Sequence, residues 1–245
     1  MIDNKSILVV VPARGGSKGV KLKNLRPLNG VPLVALVGRV VRQLNYVDKA
    51  VVSTDHSEIA RVATESGLEA PFMRPAELSG DRIADWDVLN HTLLSCEKRD
   101  NRVYDIIVML QPTSPLRQPE HVTAAVTKLI EGGYDAVWTV SKTDSKAHPL
   151  KQLTIDKDQL DYYDPAGADI IARQQLKPMY HRNGVAYAIT RKCLIGKKSI
   201  KGDNTSFVVI EDVLVNIDTE IDFKLAEFML EQLRKNSGTS GIKVY

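Results

Sequence analysis

The chain is poor in cysteine, poor in aromatic residues and without any long apolar run. Cys96 and Cys193 are the only cysteines in 245 residues, and they stand in unrelated contexts. That argues against a disulfide framework and a zinc site, and suggests a reducing, cytoplasmic setting. No apolar stretch reaches the roughly 18–20 residues needed to cross a bilayer. Asp3 ahead of a short apolar run makes a poor signal peptide. Aromatic residues are 6% of the chain, and the basic N-terminal third lacks the interleaved rings on which bases stack, so an RNA-binding module is disfavoured. A net charge of +3 is too small to argue for nucleic acid. G-x-S-x-G is absent, and the five histidines are scattered without metal spacing. The sharpest absence is local. No acidic residue lies between Asp3 and Asp48, while lysine and arginine recur throughout. Such a field draws an anion, most economically a triphosphate.

That basic stretch contains the segment around which the chain is organised, V-V-V-P-A-R-G-G-S-K-G-V-K-L-K-N-L-R from Val9 to Arg26. Ile7 to Val11 is a continuous aliphatic run, as expected of a parallel strand covered on both faces. Pro12 stops it, and Gly15, Gly16 and Gly19 free the backbone to turn and to approach a ligand. Backbone N–H groups with Arg14, Lys18, Lys21, Lys23 and Arg26 at a strand's carboxyl end suit a polyphosphate. The plain alternative is a basic surface loop. A Walker A loop is excluded, because Lys18 is followed by Gly19, and the G-x-G-x-x-G spacing is missing, because Ser17 and Val20 stand where glycines are wanted.

Downstream, helices are expected over Pro32–Leu44, Ser57–Ser66, Asp85–Cys96, Pro119–Glu131 and Thr219–Arg234, with Asp85 as the cap of the third. Strands are expected at Ala50–Thr54, Glu69–Phe72, Asp105–Leu110, Ala136–Val140, Gly184–Thr190, Phe207–Glu211 and Val213–Ile217. The alternation predicts an α/β fold, a mostly parallel central sheet with helices on both faces and ligands at the strands' carboxyl ends. From Ser141 to Asn183 the rhythm breaks, with a hairpin expected around Asp156-Lys157-Asp158. The expected organisation is one domain over 1–140 and 184–235, an inserted element over 141–183, and a loose tail over 236–245.

P-A-R-G-G-S-K-G followed by K-N-L resembles the signature of the acylneuraminate cytidylyltransferases, the CMP-sialic acid synthetases and their legionaminate and pseudaminate relatives. Further blocks resemble the family in its order: R-P-A-E-L at Arg74–Leu78, L-Q-P-T-S-P-L-R at Leu110–Arg117, H-P-L-K at His148–Lys151, R-N-G at Arg182–Gly184 and N-I-D-T-E-I-D at Asn216–Asp222. The resemblance implies a Rossmann-like nucleotidyltransferase fold. It also implies transfer from CTP to a nonulosonic acid, and a homodimer in which the insertion closes the partner's site.

The same resemblance assigns residues. Ala13, Arg14, Gly15, Gly16, Ser17, Lys18 and Asn24 would bind the nucleotide, with Arg74 at the base and Asp85 where serine is frequent. Asp85 alters base or sugar contacts, or simply caps its helix. Arg14, Lys23 and Asp218 would carry catalysis. Asp218 and Asn216 would hold Mg²⁺; the family commonly has aspartate at the latter position, and an amide adds no charge there. Gln111, Lys151, Arg173 and Tyr187 would hold the sugar acid, although salt bridging within the insertion also accounts for Lys151 and Arg173. With no convincing nucleophile, the expected chemistry is direct attack of the anomeric hydroxyl on the α-phosphate. Two rivals are transfer of another nucleotide to an amino-sugar phosphate and non-catalytic nucleotide binding.

Overall fold

The structure, a computed structural model, describes residues 2–240. Six strands form the central sheet: β1 (Ile7–Pro12), β2 (Lys49–Ser53), β3 (Ile106–Met109), β4 (Ala136–Lys142), β5 (Tyr180–Thr190) and β6 (Thr205–Val209). Their spatial order is β6-β4-β5-β3-β1-β2. The pairs β1–β2, β1–β3 and β4–β6 are parallel, and β5 runs antiparallel between β3 and β4. The helices are α1 (Leu33–Val41), α2 (Ser57–Glu65), α3 (Asp85–Asp100), α4 (Pro119–Gly132) and α5 (Glu220–Ser240). Among the described residues no helix is long and apolar enough to cross a membrane.

The unbroken aliphatic run of β1 serves two cores at once. Ile7, Val9 and Val11 pack with α1, α2 and α4 through Val34, Val37, Ile59, Val122 and Val126. Leu8 and Val10 face the other way, onto Leu89, Leu93 and Cys96 of α3. Alternate side chains on opposite faces of one strand, all apolar, are what burial on both sides requires. Both cysteines are buried free thiols in this second core, and burial pushes each pKa up to about 11.

Several expected elements differ. Val213–Ile217 is no strand. Val215 and Ile217 bury their side chains in a third cluster with Val20, Leu33, Leu116 and Phe223, so the apolar residues are met by packing without a ladder. Glu69–Phe72 reduces to one bridge between Glu69 and Val51. The N-cap of α3 is Ala84, not Asp85, and it makes no side-chain capping bond. Helix α5, expected to stop near Arg234, continues to Ser240; the rest of the expected tail, 241–245, lies outside the described residues. Strands β4 and β5 pair through Ser141–His181 and Lys142–Tyr180, so residues 143–179 leave and re-enter the sheet side by side. That excursion holds the hairpin of Leu153–Asp156 and Gln159–Tyr162 among short 3-10 turns.

Candidate active site

The turn after β1 is fixed from several directions. The Ala13 N–H donates to the Ser53 carbonyl (2.9 Å), which continues the β1–β2 ladder past its last pair. The Gly15 N–H donates to Asp55 Oδ1 (2.8 Å). Buried Asn24, on the 3-10 turn Lys23–Leu25, donates from Nδ2 to the Arg14 carbonyl (2.9 Å) and ties the far end of the loop to its start. Lys23 then reaches across the strand ends. Its Nζ donates to the Ile217 carbonyl (2.6 Å) and lies 2.9 Å from Asp218 Oδ1. Gly19 packs so closely that a Cβ there would collide with the Asp218 carbonyl oxygen. Arg26 makes a bidentate pair with Glu220 (2.7 and 2.9 Å) and covers the Phe223 ring. The first turn and the segment before α5 therefore share one edge of the sheet.

Asp218 is held by its own helix. Asp222 Oδ2 accepts the N–H groups of Asp218 (2.9 Å) and Thr219 (2.7 Å) and the Thr219 hydroxyl (2.9 Å). Partial burial works against ionisation of Asp222, yet these donors hold its carboxyl below the usual range. Asn216 Nδ2 lies 3.4 Å from Asp218 Oδ2.

A cleft of about 540 Å³ opens at this edge. Arg14, Ser17, Lys18, Lys23, Asn24, Arg74, Asp85, Gln111, Asn216 and Asp218 all line it, so the structure brings together ten of the expected site residues. The others stand apart. Ala13 is wholly buried in the core, and Gly15 turns its N–H to Asp55; neither they nor Gly16 line the cleft. Tyr187 is 1% exposed and its hydroxyl accepts the Gly184 N–H (2.9 Å), so it supports the turn behind the cleft rather than lining it. Lys151 and Arg173 lie on short turns of the 143–179 excursion. Arg173 borders a separate hollow with Asp144, His148 and Lys177, and neither residue lines the cleft of its own chain.

Within the cleft, Arg74 is buried. Its Nη2 donates to the Ser53 carbonyl and its Nη1 to the Leu78 carbonyl (3.3 Å), while Nε has no partner among the described residues. Burial lowers its pKa. Gln111 is seated against Gly184, whose φ of +72° and lack of side chain are both required: a Cβ would come within 2.6 Å of Gln111 Oε1 and 2.7 Å of Ser114 Oγ. Asp85 is pushed above the usual carboxylate range by burial, against the attraction of Arg182.

Two residues that the sequence reading did not single out shape the site. Asp81 pairs with both Arg14 (2.7 Å) and Lys18, and these partners hold its carboxyl below the usual range. Its signal was its place just past the R-P-A-E-L block. Arg117 is buried without a carboxylate; it donates to the carbonyls of Gln111 (2.6 Å), Gly184 (2.9 Å) and Val185. Burial lowers its pKa to about 9. It was legible only as the last letter of L-Q-P-T-S-P-L-R.

Comparison with known proteins agrees with this architecture. Post-translational flagellin modification protein B of Campylobacter coli is 30% identical over 92% of this chain and 95% of its own length. The CMP-N,N'-diacetyllegionaminic acid synthase of Legionella pneumophila is 33% identical over 92% of this chain and 96% of its own. Among solved structures, a CMP:2-keto-3-deoxy-manno-octonic acid synthetase complexed with CTP superposes with a TM-score of 0.68 at 17% identity, covering 94% of this chain and all of the other. That likeness establishes the nucleotidyltransferase-type fold. The family model described as cytidylyltransferase matches residues 8–239, and the chain belongs to that family.

Proposed function

We propose that the chain transfers a cytidylyl group from CTP to a nonulosonic acid, giving the CMP-sugar and pyrophosphate. The observation that carries this reading is the meeting of Lys23 and Gly19 with Asp218 at one mouth of the cleft, which puts phosphate-binding groups and a carboxylate around a single volume. The relatives of similar length supply the substrate class.

In the reaction the anomeric hydroxyl oxygen of the acid attacks the α-phosphorus. Its proton departs, the bond to the β-phosphate breaks in line, and pyrophosphate leaves. Arg14, Lys18 and Lys23 hold the phosphate chain and match the charge that gathers on the departing group. Asp81 draws Arg14 and Lys18 together and Asp218 holds Lys23, so the three cations are gathered around the cleft before the reaction. Arg74 also lines the cleft and is the residue set to meet the base. Gln111 both donates and accepts, as a ring carrying hydroxyl and acylamino groups requires.

Asp218 and Asn216 offer hard oxygen donors and fit a Mg²⁺ ion that takes its remaining ligands from phosphate and water. Among the described residues no group of three or more His, Cys, Asp or Glu forms a protein cage for such an ion. Bound there, Mg²⁺ would neutralise phosphate charge. We further propose a homodimer. The excursion exposes Ile155, Leu160, Tyr163 and Ile171, the last at 94%, which suits burial against a second copy and delivery of Lys151 and Arg173 to its cleft. The buried free thiols accord with action in the cytoplasm.

Pyrophosphate release scored over a panel tests the reading. CTP with N-acetylneuraminate, legionaminate or pseudaminate should give turnover well above GTP with any of them. Turnover restricted to GTP and an amino-sugar phosphate, or CTP binding with no turnover, would reject it.

A further inference from the structure

Behind Asn216 lies a second cavity of about 640 Å³, and Asn216 lines both this cavity and the nucleotide cleft. An ion pair also spans the junction. Asp85 lines the cleft, Arg182 lines the second cavity, and Asp85 Oδ2 stands 3.8 Å from Arg182 Nη1. That separation is too long for a hydrogen bond. Among the described residues neither side chain makes one elsewhere, so a guanidinium with five donors faces a cavity with none of them committed. It is nevertheless placed: its Cζ lies 5.3 Å from the Trp138 ring centroid and 6.0 Å from that of Tyr187. Aromatic faces under a guanidinium fix its plane and leave its edges open. Asp85 addresses Nη1, which leaves the Nε–Nη2 edge.

We propose that Arg182 is the seat of the acceptor's carboxylate. The argument is one of chemistry and place. A planar fork with its Nε–Nη2 edge open, at the junction of the cleft and the second cavity, matches a carboxylate bidentately. Lys142 lines the same cavity but offers only a point charge on a flexible stem. The acids bordering the cavity, Glu211 and Asp212, make no ion pair with Arg182, and Asp212 is engaged with His121 (2.8 Å). Tyr187, expected at the sugar itself, acts instead from beneath, as part of the floor on which Arg182 rests. This assignment rests on the reading of the chain as acting on a sugar acid.

The test measures acceptor binding rather than turnover, so that it stands apart from that reading. With CDP in the nucleotide cleft, binding of N-acetylneuraminate and of its methyl ester is compared by calorimetry. The wild type should prefer the acid, on the order of tenfold for one charge-assisted pair. Arg182→Ala should lose that preference while its CDP affinity and melting temperature stay at wild-type values. Lys142→Ala, which removes a charge from the same cavity, should keep it. A preference that survives Arg182→Ala, one that is erased by Lys142→Ala alone, or a wild type that does not distinguish acid from ester overturns the proposal. If Arg182→Ala erases the preference but no acid in the panel turns over with CTP, the carboxylate seat stands and the cytidylyl-transfer reading falls.

Discussion

Gly19 shows how much can rest on one missing side chain. The basic turn reaches the Asp218 segment because nothing protrudes at this position. Gly16, by contrast, has open space around a Cβ, so an alanine there meets no obstacle. Gly19→Ala should therefore push the turn away from Asp218 and part Lys23 from its carboxylate. The expected outcome is a loss of cytidylyl transfer of at least about tenfold, equivalent to one lost charge-assisted contact, with a melting temperature close to wild type. Steady-state rates and a thermal melt on Gly16→Ala and Gly19→Ala together check it; equal rates for the two variants would refute it. The sequence named all three glycines of the turn but could not rank them. Rank depends on which one faces a segment some two hundred positions away, and only the fold brings Asp218 to Gly19.

At the scale of elements, the loop after β3 and the turn that opens Gly184 are held together by a single buried arginine. Arg117 supplies donors to three carbonyls from both segments. Its removal takes charge-assisted donors from three buried carbonyls, although those of Gln111 and Gly184 keep the N–H groups of Ser114 and Gln111 (3.2 Å each); each lost bond is worth on the order of 1–3 kcal/mol. Arg117→Ala should destabilise the protein by about 3 kcal/mol, and Arg117→Lys should recover only part of that, because one ammonium cannot reproduce the fork. Urea unfolding of both variants measures it. The strands and helices that cover the sheet were legible because aliphatic runs and 3.6-residue periods report burial directly. Val213–Ile217 is equally apolar, and was misread for a physical reason. Apolar residues call for burial, met here by Val215 and Ile217, whereas a strand also needs a neighbour to receive its N–H groups; the Ile217 N–H donates to the Thr113 carbonyl (2.8 Å) outside any ladder.

For the whole molecule, pairing between distant segments dominates what sequence cannot show. The stretch after Asp3 carries no acid, yet in the fold Asp55, Asp81, Asp218 and Glu220 all come to it. Carboxylates from elsewhere also set the pH range of stability. Asp135, ahead of β4, pairs with Lys197 (2.6 Å) and accepts the N–H groups of Asn204 (2.9 Å) and Asp203 (3.1 Å) before β6; Lys197 foremost, these lower its pKa to about 2. A depressed folded-state pKa contributes stability above the unfolded value of about 3.9. That contribution is lost as pH falls toward about 2. Thermal melts of the wild type from pH 5 to pH 2 should drop across this window. Asp135→Asn should start lower and fall less steeply; parallel curves would show that this carboxylate does not set the limit.

Asp81 gives the cleft a further property. Because Arg14 and Lys18 already close on a carboxylate of the chain, on the proposed reading a triphosphate entering the site exchanges one anion for another. When pyrophosphate departs on that reading, the same side chain is at hand to take its place. Asp81 would then be an internal substitute for the leaving group, and release of product would strand no bare cation.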